Sequence, residues 1–247
     1  MGKFEKVSLK SAAVVHPMIM RIMLVVLCAA PFFLLSLEAF ARAGGGGNDS
    51  SMNALLYIIL WPFMVIYGAY VSLRVFLKRR RVSSALAEMA RVEPQWSEEK
   101  LSSFAKERFE LLQSLWGNND LEKIKKYLTP ELYPSWEVQL NAKIKANEQN
   151  IMAGVSVNYY KIVNAKNYRD NERDEFTVLF KVSANDQIFR NNVMVSSKSR
   201  PFKEFWTFRW QNGEWLLAEI TQEEGWGKFI NSATIFERGK GGGVFGS

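Results

Sequence analysis

Trp206-Thr207-Phe208-Arg209-Trp210-Gln211-Asn212-Gly213-Glu214-Trp215-Leu216-Leu217-Ala218-Glu219-Ile220-Thr221 is the stretch that decides the fold. Trp206, Phe208 and Trp210 alternate with Thr207 and Arg209, the period of a strand with one buried face. Asn212-Gly213 is the pair best suited to the left-handed turn of a tight hairpin, and Trp215 to Thr221 reads as the return strand. Upstream, Phe176, Val178, Phe180 and Val182 alternate with Thr177, Leu179 and Lys181. After Gly154, Val155, Val157 and Tyr159 alternate with Ser156 and Asn158. Before Gly154 the period is helical. Ser97 is a cap candidate, with Glu98 and Glu99 in the first turn. Leu101, Phe104, Ala105, Phe109, Leu112, Leu115 and Trp116 follow at helical spacing, and Gly117-Asn118-Asn119 stops that helix. Asp120 caps a shorter helix carrying Leu121, Ile124 and Leu128. Thr129-Pro130-Glu131 starts a third, with Leu132, Trp136, Leu140 and Ile144 on its buried side. Helices followed by antiparallel strands predict an α+β domain over residues 97–230, a curved antiparallel sheet wrapped by N-terminal helices with a concave apolar face. Residues 231–247 read as a flexible tail.

The chain ahead of this domain reads differently. Leu55 to Leu73 is nineteen residues without a charge, and the spacing predicts a transmembrane helix over 54–77. Pro62 and Gly68 are tolerated in spanning helices. Lys78, Arg79, Arg80 and Arg81 follow at once and place that end in the cytoplasm; they are also candidates for contact with anionic lipid. Residues 78–96 read as a basic juxtamembrane linker with a short helix from Val82 to Pro94, Val82, Leu86 and Met89 lying on one face. Gly44-Gly45-Gly46-Gly47 opens a flexible linker to Asn53. Residues 1–43 hold a shorter apolar run, Ile22 to Leu37, behind Lys3, Lys6, Lys10 and Arg21. Small residues at Ala39, Ala41 and Ala43 follow it. That pattern describes a signal peptide; an uncleaved first span is the alternative. Either fate leaves the C-terminal domain cytoplasmic, on a single- or double-pass protein.

Composition excludes several classes. The single cysteine, Cys28, leaves no intramolecular disulfide framework. The single histidine, His16, lies outside the folded part, so neither a His-pair metal site nor Ser-His-Asp chemistry can be assembled there. No metal and no cofactor is expected. The net charge of +7 divides unevenly: residues 1–96 hold 11 Lys/Arg against 5 Asp/Glu, and residues 97–247 hold 21 against 20. The folded part is nearly neutral, so no nucleic acid is expected as a partner.

Phe180, Trp206, Phe208 and Leu216 are the candidate lining of a pocket or partner-binding surface on the concave face; ordinary core is the competing reading. An enzyme would have to draft Tyr159, Tyr160, Asp174 and Glu175. Asp170 to Glu175, however, reads as a solvated hairpin connection. No catalytic residue is assigned.

Two blocks carry a family resemblance. Leu115 to Ile124, continued by Tyr127 to Tyr133, resembles the helical half of the Tim-forty-four-like domain; Glu204 to Trp210, continued by Trp215 to Ile220, resembles its closing hairpin. The family includes a mitochondrial inner-membrane translocase subunit, a mitochondrial ribosomal subunit and bacterial membrane-anchored proteins. The bacterial type is similar to this chain throughout. The resemblance implies a cone-shaped fold like that of nuclear transport factor two. It also implies a non-catalytic scaffold, lipid-binding or protein-transport role, with membrane lipids and a protein of a membrane complex as partners. Sheets of this fold often pair back to back, which admits a homo-oligomer. A ribosome-docking adaptor and a small-molecule isomerase or dehydratase are the alternatives. The implied location is a bacterial inner membrane, or else a mitochondrial one with the domain facing the matrix.

Overall fold

The computed structural model describes residues 48–237 and 243–245. The expected signal segment lies outside these residues. Two compact units are present, one ending at Val75 and one beginning at Phe76.

Helix α1 (Asn48–Val92) runs through the boundary without a break, so Asn48 to Asn53 are helical rather than linker. Its stretch Leu60–Val92 is the one helix among the described residues long and apolar enough to cross a membrane, and no residue of its most apolar window is buried. Leu60, Phe63, Met64, Ile66 and Tyr67 are exposed, which a core helix of a soluble protein would not allow.

The second unit starts with the C-terminal part of α1. Val82, Ala85, Leu86 and Met89 are buried in the main core, as is Trp96 in the short 3-10 turn Pro94–Trp96. The segment expected as a linker is therefore a wall of the domain. The predicted apolar face of Val82, Leu86 and Met89 is present; what it covers was not legible from its own residues.

Helix α2 (Glu98–Gly117) buries Leu101, Ala105, Phe109, Leu112 and Leu115. Asn119, at φ 53°, ends the run. Asp120 caps α3 (Leu121–Ile124), accepting from Lys123 N–H at 3.2 Å. The Thr129-Pro130 restart forms a turn tied to the sheet, with Thr129 N–H donating to the Leu217 carbonyl at 2.9 Å. Helix α4 (Tyr133–Lys145) follows, burying Leu140 but leaving Ile144 exposed.

The strands are β1 (Glu148–Asn167), β2 (Glu175–Arg190), β3 (Val193–Gln211) and β4 (Glu214–Gln222). All four are joined antiparallel in sequence order. The Asn212-Gly213 turn has φ of 52° and 88°, as its type requires. Asn191-Asn192, at 50° and 62°, makes the β2–β3 turn in the same way and carried no glycine to announce it. β1 pairs with β2 through three register shifts, after Ala153, Val157 and Ile162. Each shift leaves an extra residue on β1, and such bulges bend a strand. Gly154 stands at the first, at φ 61°, where a side chain would be strained. The bent sheet curves around Phe109 and its neighbours.

After the turn Glu223–Gly225 and helix α5 (Trp226–Asn231), strand β5 (Thr234–Phe236) pairs parallel with β1. Strand β6 (Gly243–Phe245) pairs with β5. Residues 234–236 and 243–245, expected as tail, thus extend the sheet and make it mixed. Glu237 N–H donates to the Asn167 carbonyl at 2.9 Å, and Thr234 and Phe236 are buried. The apolar run Ala233-Thr234-Ile235-Phe236 is too short to read as a strand; an unpaired edge of β1 makes it one. A second cluster of Val163, Leu179, Phe205 and Phe229 lies on the other face of the sheet, with Trp226 and Tyr159 packed on it.

Glu98 ties three elements together. It accepts from Ser83 Oγ at 2.5 Å and pairs with Lys161 Nζ at 2.6 Å. Burial raises its pKa, but Lys161 and Ser83 outweigh that and hold the carboxyl below the usual 4.5. The folded value is depressed relative to the unfolded chain. The contribution to stability is therefore complete above pH 4.5 and fades as pH falls through the folded value. Glu98→Gln should lower the melting temperature at neutral pH and converge with the parent protein in acid. A gap as wide at about pH 3 as at about pH 7 would contradict this linkage.

Candidate functional site

The bent sheet and the helices leave a cavity of about 420 Å³ between α2, α4, β1, β3 and β4. Such a volume lies within the range of small-molecule sites, roughly 300–1,000 Å³. Its apolar wall is Trp116 from α2, Leu132 before α4, Trp136 from α4, Met152 from β1, Trp206 from β3 and Ile220 from β4. Gln113, Ser135, Gln139, Glu204 and Gln222 supply the polar groups.

Local sequence explains each placement. Gln113 and Trp116 are three apart on α2, so they lie on one face. Glu204 and Trp206 are two apart on β3 and share a sheet face, with Ile220 opposite Trp206 and Gln222 opposite Glu204 on β4. Glu204 accepts from Trp206 Nε1 and from Gln222 Nε2, each at 2.9 Å, which orients both side chains. Trp116 and Trp136 meet edge to face at 4.9 Å, and Lys143 lies over Trp116 at 5.3 Å. Glu204 is the one charged residue on the cavity wall. The surroundings can therefore receive an apolar group with a neutral or cationic flank; an anionic head group would face that carboxylate.

Of the four residues expected as lining, Trp206 reaches the cavity wall. Phe180 and Phe208 lie behind it, fully buried, Phe180 stacked on Phe109 at 4.7 Å and Phe208 on Phe176 at 5.1 Å. Leu216 pairs with Arg209 and, by strand alternation, takes the opposite face from Trp206 and Phe208. Those three are core. Trp116, Trp136, Met152 and Ile220 were not singled out as lining, although Trp136 and Trp116 are the kind of half-exposed aromatic that marks such a wall.

The residues of the enzyme alternative do not converge. Tyr160 packs with the main core and Tyr159 with the cluster on the opposite face. Asp174 is buried at the β1–β2 connection, its carboxylate accepting from Tyr168 N–H at 2.7 Å. No group of three or more His, Cys, Asp or Glu among the described residues could hold a metal.

The basic run divides. Lys78 is buried, its ammonium donating to the Ser232 carbonyl and lying 3.5 Å from Asn164 Oδ1 and Thr234 Oγ1. Arg79 lies over Tyr159 at 5.5 Å. Arg80 and Arg81 remain exposed to solvent.

Comparison with curated proteins gives no match. Among solved structures, the intermembrane space region of the chloroplast protein ARC6 is similar at 9% identity and a TM-score of 0.41. The similarity covers 51% of this chain and 95% of that one. Residues 82–222 match the Tim44-like domain. That span takes in both motif blocks, the end of α1 and every strand from β1 to β4. With more than half of its residues so matched, the chain belongs to the Tim44-like domain family, whose members are in general non-catalytic.

Proposed function

We propose that the protein is a membrane-anchored, non-catalytic binding module whose cavity holds the apolar segment of a client protein or a lipid tail. It would act in protein transport or membrane-complex assembly at the cytoplasmic face of a bacterial inner membrane. The observation that carries this reading is the cavity wall of Trp116, Leu132, Trp136, Met152 and Ile220, apolar side chains that the protein's own packing buries only in part, backed by the fully buried Trp206. Glu204 on that wall favours a peptide segment with neutral or basic flanks over an anionic lipid head. The anchor is α1, and the basic run at its end, with Arg80 and Arg81 exposed, marks the cytoplasmic side and lies where anionic lipid head groups would be.

The test uses the full chain, purified from its own membranes in mild detergent and examined by native mass spectrometry. Trp206→Arg is a poor probe, because Trp206 is fully buried and the substitution breaks the core. Met152→Trp instead fills the cavity from its wall without opening the core. The parent chain should carry a bound peptide or lipid that Met152→Trp loses by about tenfold or more, with its melting temperature kept. Equal retention of the ligand by both proteins would place it elsewhere and remove the cavity from the reading.

A further inference from the structure

β3 is covered on its outer side by β4 only from Glu204 to Gln211. From Val193 to Lys203 nothing among the described residues pairs with that side, so the backbone groups facing outward have no strand partner. Val193, Met194 and Val195 are exposed at the start of this edge, at 65%, 52% and 54%. Lys198 and Arg200 follow, both exposed, Lys198 opposite Asp186 of β2 in register but in no salt bridge with it, and Arg200 opposite Ala184. No acidic residue lies between Val193 and Lys203.

We infer that this edge takes up an extended acidic segment of another protein as an added strand. Unpaired strand edges bind extended peptides through their main chain, and side chains set the choice of partner. Three candidate occupants compete for the edge, and charge separates them. A second copy pairing antiparallel about Ser199 would set Lys198 of each chain opposite Arg200 of the other, and like charges directly opposite are destabilising. The chain's own terminal segments are also basic. Residues 1–47 carry five Lys/Arg against two Asp/Glu, and residues 238–247 carry Arg238 and Lys240 with no acid. An acidic strand from outside meets Lys198 and Arg200 favourably. The same two cations that guard the edge against self-association thus select its partner. Pro201, opposite Ser183, is compatible with a strand open on one side and marks where an added strand would end.

The experiment titrates the full chain in detergent with a fluorescein-labelled peptide, Glu-Val-Glu-Val-Glu-Val-Glu, and with its Lys-Val counterpart. The acidic peptide should bind and should protect amides of residues 195–199 from hydrogen exchange. Lys198→Glu combined with Arg200→Glu should weaken it by about tenfold or more and favour the Lys-Val peptide instead. Ser199→Pro should also abolish binding. Ser199 shares its orientation with Pro201, so the fold already admits proline at that parity and the variant should melt normally. No acidic-peptide binding at about 1 mM, or equal binding of both peptides, would overturn the inference. So would efficient disulfide trapping of two chains through Ser199→Cys in a Cys28→Ser background, which would give the edge to a second copy.

Discussion

Shortened to residues 97–247, the chain is expected to lose its fold. The cut falls where the sequence changes from a basic stretch to a capped helix, and it looks harmless there. It removes Val82, Ala85, Leu86, Met89 and Trp96, all buried in the main core. Trp96 packs edge to face on Trp215 at 5.3 Å, and Trp215 in turn on Phe176 at 4.8 Å. Burying one side chain of the Val, Leu or Met kind is worth about 1.5–3 kcal/mol, so the four large ones contribute roughly 6–12 kcal/mol. That equals most of a domain's net stability of about 5–15 kcal/mol, even after allowance for a compact unfolded state. Circular dichroism of the shortened chain should show no cooperative thermal transition, where the full chain in detergent shows one. A cooperative melt within about 10 °C of the parent would mean that α1 only rests on the domain.

Phe109→Ala should be the most damaging single substitution in the core. Phe109 is fully buried, 4.7 Å from the Phe180 ring and 4.8 Å from the Trp206 ring. It is the side chain of α2 around which β2 and β3 close. Truncation leaves a cavity that rigid aromatic neighbours cannot fill, and such changes cost about 3–5 kcal/mol. For a domain of this size that is a fall of about 10 °C in melting temperature. Val138→Ala, at an exposed position of α4, serves as the control and should change stability by less than about 0.5 kcal/mol. Equal melting of the two variants would show that Phe109 does not organise the core. Because Trp206 also lines the cavity, Phe109→Ala should loosen ligand binding as well, whereas Val138→Ala should not.

The candidate site was half legible. Alternation on β3 puts Trp206 and Phe208 on one face, and the structure agrees. Alternation says nothing of which apolar residue on that face meets a helix and which meets a void. Phe180 and Phe208 meet α2, through Phe109 and Phe104. Trp206 touches Phe109 and still reaches the cavity, which Ser135, Trp136 and Gln139 of α4 also line. Leu216 fell on the opposite face because β3 and β4 slip register between Thr207 and Phe208, a shift that no residue type announces.

Local chemistry alone settles much of this protein. The Asn212-Gly213 hairpin, the Asp120 cap and the helical period of Leu101 to Trp116 each rest on contacts within a few residues, and the structure reproduces all three. The uncharged run from Leu55 to Leu73 likewise needs no partner to be long and apolar. Other features exist only because distant segments meet. Val82 to Met89 is a plain amphipathic turn or two until the rest of the main core closes over it. Thr234 to Phe236 is a strand only because the edge of β1 offers its hydrogen bonds. The cavity, the burial of Lys78 and the unpaired edge of β3 are likewise products of packing. The physical reason is one of range: caps, turns and periods act through neighbouring residues, whereas voids, buried charges and free edges depend on what the rest of the chain fails or manages to cover.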